Sequence, residues 1–176
     1  MKKIGVAVVG CGFMGGVHLN AWSMIPEAKI VAIVDVRKNM ARPLARKFKA
    51  KAYSNLEQVV DEADVDVVDV CTPTYTHKQH VMTAVKARKQ VLVEKPLALS
   101  LKDADQMISA ARKAGVKFMV AHCIRFFAEY ARIKELVSQG AIGEPVISRG
   151  HRAGPLPLWG TRSWFLNPKM SGGVGI

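Results

Sequence analysis

Ile4-Gly5-Val6-Ala7-Val8-Val9-Gly10-Cys11-Gly12-Phe13-Met14-Gly15 decides the fold. An apolar run rich in β-branched residues ends in the spacing G-x-G-x-x-G. Buried strands read this way, as short continuous apolar runs bounded by glycine. Gly10 permits a tight turn, Gly12 lets the backbone approach a pyrophosphate, and Gly15 lets the following helix pack close to the strand. The start of that helix offers N–H groups and the positive end of its dipole to phosphates. Asp35 stands twenty residues after Gly15, at the end of a second apolar run, Lys29-Ile30-Val31-Ala32-Ile33-Val34. A carboxylate there can accept hydrogen bonds from the hydroxyls of an adenosine ribose. Gly10, Gly12, Phe13, Met14, Gly15 and Asp35 are therefore expected to bind a dinucleotide. Asp35 favours NAD, because a carboxylate repels a 2′-phosphate. Arg37 could bind that phosphate instead, so NADP stays open.

Further strands are expected at residues 65–71, 90–94 and 116–121. Helices are expected at 15–24, 42–48, 56–62, 77–87 and 100–114. Pro43 fits only the first turn of its helix, and Ser100 with Asp103 caps the last one, which ends at Gly115. This alternation is the signature of a doubly wound parallel sheet, an α/β Rossmann domain over residues 1–122. A helix at 127–139, with Ile133, Leu136 and Val137 inward and Gly140 as its C-cap, and a strand at 145–152 then begin a second, α+β domain. Residues 123–176 are too few to bury a core of their own and make it incomplete.

The composition agrees. The 176 residues are 49% apolar and 23% charged, which excludes a disordered tail, a collagen-like repeat and a coiled coil. Aromatic residues are scarce at 7%, whereas Val and Ala abound, which suits a helix-covered parallel sheet better than a β-sandwich. Lys and Arg (26) exceed Asp and Glu (14), for a net charge of +12. The basic residues are scattered over helix faces, with no recognition-helix motif, zinc spacing or aromatic RNA-binding strand, so no specific nucleic-acid partner is expected. Cys11, Cys71 and Cys123 lie far apart and at no metal-ligand spacing, as in a reduced, cytoplasmic protein without a metal site. No apolar run reaches the roughly 18 residues of a membrane helix, and no membrane partner is expected.

Two more constellations fall where strands end, the edge at which open α/β sheets bind ligands. The first is Cys71-Thr72-Pro73-Thr74-Tyr75-Thr76-His77, in which Pro73 stiffens a loop and His77 opens a helix. Cys71 reads as a small strand residue, since no base stands at useful spacing. The second is Glu94-Lys95-Pro96. Charges directly after an apolar strand are costly unless they face a ligand or each other. Lys95 there can hydrogen-bond a substrate oxygen and stabilise alkoxide character as hydride leaves the carbon. Asp69 interrupts an apolar strand, and nothing in the sequence says what satisfies it.

Together these residues resemble the glucose–fructose oxidoreductase/inositol dehydrogenase/rhizopine-catabolism (Gfo/Idh/MocA) family. The glycine fingerprint followed by His18, Asp35 at its strand end, Thr72-Pro73 with His77, Glu94-Lys95-Pro96, Arg125-Phe126 and Ser171-Gly172-Gly173 all fit, and Glu94-Lys95-Pro96 is the most specific of them. The resemblance implies hydride transfer between a nicotinamide cofactor and a sugar, polyol or related hydroxy compound, with Lys95 catalytic. It implies that Thr72, Pro73, His77, Glu94 and Arg125 line the cofactor or its nicotinamide end. His151, Arg152 and Trp164, with Trp159 and Arg162, fall where the family's second domain begins to wall the substrate pocket. That domain usually builds an oligomer interface, and a homo-oligomer is expected of the full-length form. Family members continue into an Asp and a His beyond the position of Ile176, so the chain reads as a fragment of a longer dehydrogenase. Two alternatives stay open: a relative that retains NAD to cleave glycosides, and a non-catalytic dinucleotide sensor. Arg88 departs from the family by standing where a glycine usually ends a helix, and must accept left-handed geometry or a different cap.

Overall fold

The computed structural model describes residues 2–62, 64–151, 154 and 161–173, with backbone only for 161–163. The chain divides into two compact units, Met1–Ala121 with Leu158–Ile176, and His122–Pro157.

The first unit is built on a six-stranded parallel sheet. Its strands are β1 (Ile4–Val9), β2 (Ala28–Val34), β3 (Lys51–Tyr53), β4 (Val67–Val70), β5 (Gln90–Glu94) and β6 (Phe118–Ala121), in the order β3-β2-β1-β4-β5-β6. The helices are α1 (Phe13–Ser23), α2 (Lys38–Phe48), α3 (His77–Lys86) and α4 (Leu101–Ala114). This is the strand order of the dinucleotide-binding doubly wound fold, which reverses direction at β1 and β4. The expected fold class is observed.

The pleat sorts the strand residues between two cores. Val6, Val8 and Cys71 join Leu19 of α1 and Ala41 and Ala45 of α2 on one face. Ala7, Val9, Val68, Val70, Val91 and Val93 join Val81, Ala84 and Val85 of α3 and Met107 and Ala111 of α4 on the other. A one-residue irregularity in β2 sets Val6 opposite Ile30 but Ala7 opposite Ala32. That extra residue lets Ile30 and Ile33 share the α1–α2 core despite their odd spacing. Apolar burial on both faces explains why the strands read as continuous apolar runs.

Several expectations need correction. α2 starts at Lys38, four residues before the expected 42, and carries Pro43 in its interior. Asp35 Oδ1 accepts from Arg37 N at 2.9 Å and Met40 N donates to Arg37 O at 2.8 Å, so the chain turns into helix at once. One intrahelical bond at Pro43 is forfeited. The helix expected at 56–62 is a run of turns; Leu56, Val59 and Val60 are buried all the same. The short strand β3 was not expected. Residues 145–151 form no strand: Val146 and Ile147 are exposed, and no described strand pairs with them. A β-branched run needs a ladder partner as well as a pattern.

In the second unit, a 3-10 turn at Cys123–Phe126 precedes α5 (Ala128–Ser138), and Gly140 follows with φ 71°. The helix is where the sequence predicts it, but none of its residues is buried and Ile133 is exposed. In the first unit, a 3-10 stretch at Thr161–Leu166 leads into α6 (Pro168–Ser171). α6 packs against the 3-10 turn at Thr74–Thr76. Among the described residues no helix is long and apolar enough to cross a membrane.

Arg88 adopts the left-handed geometry that its position demands, at φ 56°. Side chains rarely tolerate this conformation, at a cost of about 1–2 kcal/mol. Glycine carries its own entropic penalty. Arg88→Gly is accordingly expected to raise the unfolding free energy by about 0.5–1 kcal/mol, seen as a higher urea midpoint at unchanged slope.

Candidate functional site

The site lies along the carboxyl ends of β2, β1, β4 and β5. At its centre β1 meets α1 in unusually close contact. Gly10 has φ +99°, and a Cβ there would lie 2.7 Å from the Cys71 carbonyl oxygen. A Cβ on Gly15 would lie 1.8 Å from the Gly10 carbonyl oxygen. Neither position admits a side chain. Gly12 differs, since nothing lies within 4 Å of where its Cβ would be. It is the N-cap of α1, offers no side-chain cap, and no acidic residue occupies the first turn. The positive end of α1 thus opens onto space that a phosphate can fill. Phe13 is exposed there and Met14 half-buried.

On the β2 side, Asp35 is buried and anchored to main chain. Its Oδ2 accepts from Cys11 N at 2.9 Å and its Oδ1 from Arg37 N at 2.9 Å. Arg37 Nε lies 3.5 Å from Oδ1. Oδ2, with one donor, can still accept a further hydrogen bond, as a ribose hydroxyl would require. Burial, with the Asp35 charge second, pushes the Cys11 thiol up to about 12. That thiol therefore stays protonated and is no nucleophile.

On the β4 side, the loop Thr72–Pro73 is held by its own hydroxyls. Thr76 Oγ1 lies 2.8 Å from both Thr72 Oγ1 and Pro73 O. His77 is 1% exposed and lies behind this loop. Its Nε2 faces Thr72 O at 2.9 Å, and its Nδ1 faces Pro96 O at 3.1 Å and Leu97 O at 3.3 Å. Burial pulls its pKa below the usual imidazole range, although the carbonyls pull the other way. His77 lies between the β4 and β5 loops with both nitrogens facing backbone carbonyls; the neutral ring donates to only one of the two loops, and any effect on a cofactor passes through those loops.

β4 also carries the Asp69 that the sequence left unexplained. The pleat puts Asp69 and Cys71 on the α1 face, and Asp69 is opposite Val8 on one side and Leu92 on the other. Two residues beyond Leu92, on the same face, comes Glu94. α1 lays His18 and Trp22, one turn apart, over this row. The fully buried Asp69 accepts from His18 Nδ1 at 2.9 Å, Trp22 Nε1 at 2.6 Å and Cys71 Sγ at 3.5 Å. His18 Nε2 lies 3.1 Å from Glu94 Oε1, and Glu94 Oε2 accepts from Lys95 N at 2.9 Å. A chain of hydrogen bonds therefore runs Trp22–Asp69–His18–Glu94–Lys95 (main chain).

Burial alone would lower the His18 pKa, but hydrogen bonds to Asp69, Cys71 and Glu94 and the charge of Asp69 outweigh it and raise it to about 12. Burial likewise pushes the Glu94 carboxyl up, while His18 and the Lys95 N–H hold it below the usual carboxylate range. Burial raises the Cys71 thiol to about 12. His18, Asp69 and Cys71 offer three donor atoms within 4.8 Å of one another, as metal ligands do. Here the ring N–H, the indole N–H and the thiol all serve the one carboxylate, so hydrogen bonding accounts for the cluster. Sequence reasoning missed it. The available signals were a carboxylate within a buried strand, which must find a donor, and a His and Trp four residues apart on one helix face.

Lys95 is exposed directly after β5, joined to Pro96 by a cis peptide bond, and its ammonium has no hydrogen-bond partner among the described residues. The first unit thus brings together Gly10, Gly12, Phe13, Met14, Gly15, Asp35, Arg37, Thr72, Pro73, Glu94 and Lys95 on one sheet edge, with His77 behind it. Arg125 and His151 lie in the second unit, both exposed. Trp164 is half-buried in the first unit, edge-on to Phe165 with ring centroids 5.6 Å apart. Arg152, Trp159 and the Arg162 side chain fall outside the described residues.

Residues 4–122 match a family described as "Oxidoreductase family, NAD-binding Rossmann fold" (GFO_IDH_MocA). The chain is 37% identical over 153 residues to a myo-inositol 2-dehydrogenase of Thermotoga maritima, a match that covers 86% of this chain and 46% of the relative. It is 35% identical over 170 residues to a 2,7-anhydro-N-acetylneuraminate hydratase of Escherichia coli, covering 97% and 45%. Among solved structures it resembles GenD2 from gentamicin A biosynthesis in complex with NAD, with a TM-score of 0.84 and 30% identity over 98% of this chain and 49% of that one. The chain spans about half the length of the curated relatives it matches.

The folded-state pKa of His18 lies above its unfolded value of 6.5. Its contribution to stability is therefore complete below about 6.5 and is lost as pH climbs toward about 12, by up to ~1.4 kcal/mol per pH unit. Asp69, Glu94 and Cys71 are the titratable groups facing the ring. Ring nitrogen NMR shifts are expected to report a doubly protonated His18 through pH 9, and a neutral ring at pH 8 would contradict the assignment.

Proposed function

Because this chain belongs to the Gfo/Idh/MocA family of oxidoreductases, we propose that it binds NAD along the carboxyl edge of its sheet and transfers hydride to or from a sugar, polyol or related hydroxy compound. One observation carries this reading. The open N-terminus of α1 at Gly12 lies between Asp35 on the β2 side and Lys95 on the β5 side. A dinucleotide centred on that helix end has one nucleoside in each direction.

The residues present fit such a group. The uncapped first turn of α1, with open space at Gly12, suits the pyrophosphate. Asp35 suits the adenosine ribose hydroxyls. Its carboxylate would stand against a 2′-phosphate, which favours NAD over NADP despite Arg37 nearby. The loops at Thr72–Pro73 and Glu94–Lys95 then receive the nicotinamide end. The bound nicotinamide supplies the hydride acceptor or donor. Lys95, with its ammonium unengaged, donates a hydrogen bond to the substrate oxygen and stabilises negative charge there as the carbon changes oxidation state. His151, Arg152 and Trp164 would wall the substrate. The similarity to an inositol dehydrogenase supports a polyhydroxylated substrate. A second reading is a family member that retains NAD to cleave a glycoside, and the similarity to a protein named a hydratase rather than a dehydrogenase supports weighing it; it predicts turnover without net NADH. A homo-oligomer of the whole protein belongs to the proposal.

Titration with NADH, followed by nicotinamide fluorescence, tests the binding step on this chain. Gly12→Ala should leave stability within about 1 kcal/mol, because its Cβ meets nothing, yet weaken NADH at least tenfold by obstructing the phosphates. An unaffected affinity would refute the assigned pyrophosphate seat. Lys95→Ala in the whole protein should lower turnover by about 10²–10³ while NADH affinity holds; unchanged turnover would refute the role given to Lys95, and NADH binding without any turnover in the unaltered protein would favour a sensor.

A further inference from the structure

The buried row on the α1 face has a consequence for Lys95. We propose that His18 is a positioning residue, an imidazolium brace between Asp69 and Glu94 that fixes the Glu94 carboxylate and, through it, the main chain of Lys95. The proposal rests on the reading that β5 ends at the nicotinamide seat. His18 Nδ1 is 2.9 Å from Asp69 Oδ2 and His18 Nε2 is 3.1 Å from Glu94 Oε1, so the ring is held at both ends. The Glu94 carboxylate is held twice as well, by His18 at Oε1 and by Lys95 N at Oε2. Asp69 is itself pinned by Trp22 at 2.6 Å.

Two carboxylates this deep, 0% and 5% exposed, repel each other unless a cation stands between them. Only a ring protonated on both nitrogens can donate to both. Removal of the brace leaves Glu94 buried on the same face as Asp69, with the exposed Lys95 as its remaining counter-charge. It then takes a proton, which weakens the bond from Lys95 N–H by removing its charge, or swings toward water, which releases it. The brace also links the two halves of the dinucleotide site. His18 stands on α1, the helix whose first turn faces the pyrophosphate, and Glu94 stands at the far strand.

The experiment compares NADH with ADP-ribose, which keeps the pyrophosphate and both riboses but lacks nicotinamide. In His18→Gln, NADH affinity is expected to fall about tenfold, the loss of one charge-assisted hydrogen bond. ADP-ribose affinity is expected to stay within about twofold of the original. ADP-ribose also serves as the control for folding. Equal losses for both ligands, or no loss for either, would overturn the brace. A His18→Gln/Glu94→Gln double variant should bind NADH no more weakly than Glu94→Gln alone, because both changes break the same link. Additive losses would overturn the proposal too. Should the unaltered chain bind neither ligand, the dinucleotide reading itself fails and the brace with it; a loss confined to the variants separates the two.

Discussion

The contact between the Gly10 carbonyl and Gly15 governs the rest of this molecule. With 1.8 Å between that oxygen and any Cβ at position 15, α1 can approach β1 only because Gly15 lacks a side chain, while the bare Gly10 admits the Cys71 carbonyl beside it. The closeness has two effects. It sets the first turn of α1 directly over the carboxyl edge of the sheet, where its N–H groups can meet an anion. It also lowers the middle of the same helix onto β4, so that His18 and Trp22 reach Asp69. A helix held further out by even one methyl group would serve neither end. The glycine spacing is thus as much a packing condition for the charged row as it is a phosphate fingerprint.

That row is costly to bury. Asp69, His18 and Glu94 leave water for a face otherwise filled by Val6, Val8, Leu19 and Ile33. Buried ion pairs seldom outperform apolar replacements in stability, because desolvation consumes most of the Coulomb gain, whereas breaking one partner exposes the whole penalty. Stability alone is therefore a poor reason for this arrangement. Its geometric result is better defined: a series of hydrogen bonds from Trp22 through Asp69 and His18 to Glu94 ends at the peptide nitrogen of Lys95. The two thiols nearby, Cys11 and Cys71, are held protonated by burial, whereas Lys95, the proposed catalytic residue, is exposed.

The fold was legible where local chemistry and burial agree. β1, β5 and α4 appear almost residue for residue, because apolar runs between glycine and cap residues have few other readings; Ser100 caps α4 from Asp103 N at 3.2 Å, as its spacing predicts. Misreadings came where tertiary contacts decide. Pro43 argued for a late start to α2, but the bonds of Asp35 to the Arg37 main chain start it early. Val146 and Ile147 have the β-branched pattern without a neighbouring strand. In the site, glycines and strand-end charges announce themselves by spacing, since a backbone turn and a ligand edge are local matters. The His18–Asp69–Glu94 row is not local. Its members lie 51 and 76 residues apart from His18 in sequence, and only the stacking of α1 on β4 and β5 joins them.

The two ends of the proposed site are built on different principles. At the adenosine end, Asp35 is oriented by main-chain N–H groups of Cys11 and Arg37, donors that cannot rotate away and do not titrate. Arg37 Nε stands 3.5 Å from the carboxylate, so its charge is shared with Asp35 before any phosphate arrives. At the nicotinamide end, Glu94 is oriented by a side chain whose charge is itself secured by another side chain. A main-chain clamp is insensitive to sequence, while a relay of side chains passes any change at Asp69, Trp22 or His18 to Glu94 and the Lys95 main chain. The carboxylate that would meet the invariant adenosine half can be oriented by backbone alone. The half at which chemistry occurs depends on α1, β4 and β5 together, and an alteration deep within the first unit can therefore change reactivity without touching the ligand.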